Sequence, residues 1–128
     1  MQNVNYFLLA AAFNGFLAVA LGAFGSHGLK TRLSEHYLGI WQTAVQYHFY
    51  HALILCVVGV LWHRSPDNGW LNSSGYLFVV GILLFCGSLY WLALGGPRWL
   101  GPVTPGGGLC FLLGWLCLMV SALRLGRF

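Results

Sequence analysis

The chain has 128 residues, 59% of them hydrophobic and only 6% charged. A soluble domain carries about 25% charged residues, so a water-facing globule is excluded, and the high hydrophobicity excludes a disordered chain. The formal charge of +4 comes from single, scattered basic residues with no basic run, so the sequence gives no support for nucleic acid as a partner.

The first apolar run, Tyr6 to Phe24, is interrupted only by Asn14 and carries no charge. It is long enough for one span, predicted over residues 6–25. Met1 to Asn5 holds no basic residue, which favours a retained span over a cleaved signal. Gly28 follows as a helix stop. The mixed segment Leu29 to Ile40 places Leu29, Leu33, His36 and Tyr37 on one face, and predicts a short interfacial helix between the first and second spans.

The second span is predicted over 41–62. The loop His63-Arg-Ser-Pro-Asp-Asn-Gly69 follows, bracketed by Trp62 and Trp70 as interfacial aromatics. The third span, 74–94, ends at Gly95-Gly-Pro97. The turn-rich stretch Arg98 to Pro105 then leads through Gly106-Gly-Gly108 into a fourth span, 107–124. The fold class is therefore all-α, an integral membrane bundle of four transmembrane helices forming a single domain over residues 1–128. Four spans put both termini on the side of the second loop. Arg64, Arg124 and Arg127 lie there, against Lys30, Arg32 and Arg98 opposite. Charge bias alone leaves orientation undecided.

Small residues recur where helices would approach closely: Ala11, Gly15, Ala18, Gly22 and Gly25 in the first span, Gly75, Gly81 and Gly87 in the third, Gly107, Gly114 and Ser121 in the fourth. Such stripes predict tight packing but do not tell an internal contact from an external one, so a homo-oligomer or a place as accessory subunit of a larger membrane complex stays open. Cys56, Cys86, Cys110 and Cys117 fall singly in apolar runs without a CxxC, and read as small hydrophobes.

Polarity inside the spans concentrates in Trp41-Gln-Thr-Ala-Val-Gln-Tyr-His-Phe-Tyr-His51. Gln42, Thr43, Gln46, Tyr47, His48, Tyr50 and His51 sweep more than half of the helix circumference. Lipid satisfies none of their donors and acceptors, so the half-span is expected to face protein, water or a ligand. His48 and His51, one turn apart, with His27 closing the first span, form a candidate metal set suited to zinc or copper. Structural hydrogen bonding of the same rings is the favoured reading, since no carboxylate lies nearby as a supporting partner. His36 and His63 sit in connections and read as interfacial. Ser88 lacks a GxSxG elbow and an acidic partner, so nucleophilic catalysis is disfavoured. The stretch GPVTPGGG lacks the lysine of a phosphate-binding loop.

Four segments together, GAFGSHGL at 22–29, WQTAVQYHFYHAL at 41–53, FCGSLYWLAL at 85–94 and GPVTPGGGLCFLLGW at 101–115, resemble the YgdD-like family, the "domain of unknown function 423" family, which includes transmembrane protein 256. The resemblance covers nearly the whole chain. It implies a four-span bacterial inner (plasma) membrane protein with both termini cytoplasmic, and no transferable activity. The family pattern falls here on His27, on Tyr47 with His51, on Gly87 to Tyr90, and on Thr104 to Gly107. Some members place Gln at the position of His48, and Ser26 stands where Ala is more usual.

The polar intramembrane cluster expected from all this is His27, Gln46, Tyr47, His48, His51, Ser88 and Tyr90, with no catalytic residue. The expected function is a non-enzymatic structural, accessory or membrane-homeostasis component, without a cofactor and with the lipid bilayer as partner. The alternative is a metal-, haem- or quinone-binding protein using His27, His51 and His48. A third reading, an enzyme acting on lipid, would need Ser88 and the histidines to converge.

Overall fold

The computed structural model describes residues 4–125. Four helices in it are long and apolar enough to cross a membrane: α1 (Tyr6–Leu29), α2 (Glu35–Arg64), α3 (Gly69–Ala93) and α4 (Leu100–Ala122). No strand occurs among the described residues.

Each of the first three helices starts at a side-chain cap. Asn5 Oδ1 accepts from Leu8 N at 3.1 Å, Ser34 Oγ from Tyr37 N at 3.4 Å and Asn68 Oδ1 from Leu71 N at 3.2 Å. These caps satisfy amides that have no partner within the helix. The Ser34 cap explains one departure from expectation. Residues 30–34 form a turn, and everything from Glu35 onward is continuous α2, so no separate interfacial helix stands between the first two spans. Only Gly39 interrupts the residues between the cap and Trp41, and a single glycine does not stop an established helix.

The fourth span also begins earlier than expected. Pro102 lies in the first turn of α4, where its missing N–H would have been unpaired anyway. Pro105 lies inside the helix and removes the bond that would return to Gly101. α3 stops at Gly95, whose φ of +95° suits glycine, with Gly96 N donating to Trp91 O at 2.8 Å. Arg127, counted above among the basic residues on the side of the termini, lies outside the described residues.

α1 packs along α2, α3 along α4, and α2 joins the two pairs. The ends are tied as an up-down bundle requires. Asn5 Nδ2 donates to Gly59 O at 2.9 Å, and Asn68 Nδ2 to Ser121 O at 3.2 Å. One side of the bundle therefore holds the start of α1, the second loop and the end of α4. The core runs through Phe7, Leu55, Val58, Leu71, Phe78 and Phe111, and a smaller cluster of Leu29, Trp41 and Ala93 lies toward the other side.

The small-residue stripes divide. Gly107, Gly114 and Ser121 are all buried, and a Cβ on Gly107 would strike the backbone of Phe85. Gly75 and Gly81 are likewise filled against the rings of Phe7 and Phe111. Gly15 and Gly87 border open space instead. α1 and α3 each contain one π-helical turn, Gly25–Leu29 and Ile82–Cys86. The second lies where α4 comes closest, one helical turn before Tyr90.

A candidate functional site around helix α2

Two hydrogen-bonded assemblies grow from the polar half of α2, and both are made by histidines. His48 is 3% exposed and His51 4%. Three residues of offset turn the two rings toward different neighbours.

His48 joins three helices. Its Nε2 lies 2.9 Å from Asn14 Oδ1 on α1, and its Nδ1 lies 2.9 Å from the Tyr90 hydroxyl on α3. Asn14 Nδ2 donates to Ala10 O at 2.8 Å, which orients the amide so that Oδ1 faces the imidazole. The His48 proton therefore sits on Nε2, and the Tyr90 hydroxyl donates to Nδ1 of the neutral ring. Trp41 backs this assembly, its ring 4.7 Å from that of Tyr90 while its Nε1 donates to Leu21 O at 2.9 Å.

His51 joins α2 to α4. Its Nδ1 donates to Tyr47 O at 2.7 Å, and its Nε2 accepts from Trp115 Nε1 at 3.2 Å. Indole N–H is a donor only and a carbonyl an acceptor only, so the neutral ring with its proton on Nδ1 is the form that makes both bonds. The ring also lies on Phe111, centroids 3.6 Å apart and planes 9° apart. The two histidines are thus held in opposite tautomers.

A third joint links α3 to α4. Ser88 and Thr104 hydroxyl oxygens are 2.5 Å apart, and Ser88 Oγ also donates to Phe85 O at 3.0 Å. Ser88 has no hydrogen bond to a histidine or a carboxylate among the described residues.

Of the cluster expected from sequence, the structure brings His48 together with Tyr90. It places His51 beside Tyr47, whose ring lies nearly parallel at 6.2 Å, and Ser88 apart from both imidazoles' hydrogen bonds. His27 is exposed on the π turn ending α1, and no group of three His, Cys, Asp or Glu suited to a metal ion occurs among the described residues. Both ring nitrogens of His48 and of His51 are already engaged by protein groups, so neither offers a free lone pair to a metal. The polar stripe is wider than the seam. Gln42, Gln46 and Tyr50 lie on the outer surface, and neither glutamine has a side-chain hydrogen bond among the described residues. The four cysteines are free thiols. Sequence reasoning missed Asn14, Trp41 and Trp115 as partners. Asn14 carried the clearest signal, being the one polar side chain within the apolar run of the first span.

An apolar cavity of about 390 Å³ opens on the outer surface between α1, α2 and α3, with Asn14, His48 and Tyr90 at its polar end.

The family model described as "Protein of unknown function (DUF423)" matches residues 21–108. The UPF0382 membrane protein YwdK of Bacillus subtilis (strain 168) is 44% identical over 118 residues, covering 92% of this chain and 96% of that protein. A UPF0382 membrane protein of Staphylococcus epidermidis (strain ATCC 12228) is also 44% identical, covering 92% and 95% respectively. The UPF0382 membrane protein SAB0533 of Staphylococcus aureus (strain bovine RF122) is 41% identical with the same coverage of 92% and 95%. No solved structure matches the chain.

Proposed function

The chain belongs to the DUF423 family, a family of membrane proteins, and from that premise we propose that it is a non-enzymatic accessory component of the bacterial inner membrane, with both termini cytoplasmic. The observation that carries this reading is the way the intramembrane histidines are used. Each has both ring nitrogens bonded within the protein and is buried between helices. A general base or a metal ligand needs a lone pair that substrate or metal can reach. Ser88 is bonded to Thr104 and Phe85 and has no hydrogen bond to a base among the described residues.

The accessory role is supported by the outer face of α2. Gln42, Gln46 and Tyr50 lie along it, Tyr50 being 55% exposed. Hydrocarbon gives a glutamine amide no partner, while a facing helix does. The reading assigns this stripe to contact with another membrane protein chain, a second copy included.

Site-specific photo-crosslinking tests it. A benzophenone amino acid at position 46, in the native membrane, is expected to give a discrete protein adduct that disappears when Gln42 and Tyr50 are changed to Leu. Crosslinking to lipid alone would overturn the accessory role.

A further inference from the structure

The cavity between α1, α2 and α3 has a construction that helix joining does not require. Its volume of about 390 Å³ lies within the range of small-molecule sites, roughly 300–1,000 Å³. Phe13 and Leu83 stand at its rim and are 60% and 68% exposed, so it opens sideways to the bilayer rather than to water. Leu17 and Val79 line its apolar walls, and no Asp, Glu, Lys or Arg lines it among the described residues.

Its polar end is deep. At 1.5 Å per residue His48 stands roughly 20 Å from the Glu35 end of α2 and about 24 Å from the Arg64 end, near the middle of the bilayer. Two hydrogen-bonding capacities remain there. Asn14 Nδ2 uses one of its protons on Ala10 O and keeps the second, and the Tyr90 oxygen, donating to His48, keeps its lone pairs. A spare donor and a spare acceptor thus border an uncharged, lipid-open cavity.

We propose that this cavity binds a neutral lipophile carrying a carbonyl-bearing head of the quinone type, whose carbonyl accepts from Asn14 while its tail leaves past Phe13 and Leu83 into the bilayer. A phospholipid does not fit this chemistry. Its charged head stays at the interface, and the cavity holds no cation to bring it to the midplane. A neutral head with one or two carbonyls matches the single spare donor and crosses hydrocarbon without a charge penalty. This inference stands apart from the accessory role, which concerns the opposite use of α2, its outer stripe.

The test uses the full chain in nanodiscs of zwitterionic lipid and a decyl-substituted benzoquinone as probe. Quinones quench tryptophan, and Trp41 packs directly on Tyr90. A saturable quenching component is expected, unchanged by decanoate, whose charge the cavity does not neutralise. His48→Phe is expected to weaken it by about five- to ten-fold, the size of a lost hydrogen-bonded support. Gly87→Phe is the second variant, because Gly87 lines the cavity and a Cβ there meets nothing within 4 Å. It fills the space while leaving the Asn14–His48–Tyr90 bonds in place, and is expected to abolish the saturable component. Quenching that rises linearly with probe-to-lipid ratio, saturable quenching equal in Gly87→Phe and the parent, or displacement by decanoate would each overturn the proposal.

Discussion

His51 lies flat on Phe111, ring centroids 3.6 Å apart and planes 9° apart, with its two nitrogens bonded to Tyr47 O and the Trp115 indole. One side chain of α2 thereby anchors α4. His51→Ala removes the stacked ring and leaves the Trp115 N–H without its acceptor. The expected cost is about 2–4 kcal/mol, from the cavity plus a lost interhelical bond. Equilibrium unfolding in mixed detergent micelles measures it, and a variant as stable as the parent would contradict the contact's importance.

The approach of α4 to α3 rests on Gly107. A Cβ there would meet Phe85 N, Cα and Cβ, and backbone does not move aside as a flexible side chain does. Gly107→Ala is expected to destabilise by at least ~2 kcal/mol. Gly15→Ala, where a Cβ meets nothing within 4 Å, is expected to be neutral or stabilising by up to about 1 kcal/mol through helix propensity. The same unfolding measurement separates the two, and equal effects would contradict the packing described.

Asn14 and Tyr90 do not bond each other, yet both hold His48. Asn14→Leu and Tyr90→Phe are therefore expected to be non-additive. A double-mutant cycle should give a coupling of about 0.5–1.5 kcal/mol, the range of interhelical hydrogen bonds in membranes. Strict additivity would mean that His48 does not link α1 to α3.

The proposed orientation puts the loop of Asp67 in the cytoplasm and that of Pro97 outside. With the four native cysteines changed to Ala, a membrane-impermeant maleimide on intact cells is expected to label Pro97→Cys and to label Asp67→Cys only after lysis. The reverse pattern would invert the topology.

The four spans were legible because uncharged runs of this length have few alternatives. Their ends were less so. Ser34 and Asn68 are caps whose effect reaches several residues along the chain, and Pro102 reads as a breaker although the first helical turn tolerates it. In the site, the importance of His48 and His51 followed from polarity in an apolar setting. What each ring touches did not, because Asn14, Tyr90 and Trp115 are 34, 42 and 64 residues away in sequence. Nor does periodicity tell which part of a wide polar stripe faces the bundle. The glutamines on the outside and the histidines inside share one helix, and only the crossing of α1, α3 and α4 over α2 separates them.

The intramembrane histidines are fully engaged helix joints, and their tautomers report on this directly. In a protein carrying ¹⁵N-labelled histidine, NMR of the imidazole nitrogens is expected to find two neutral buried rings, His48 protonated on Nε2 and His51 on Nδ1, unchanged when zinc is added. Exchange between tautomers, the reverse assignment, or a zinc-induced shift of either ring would contradict it.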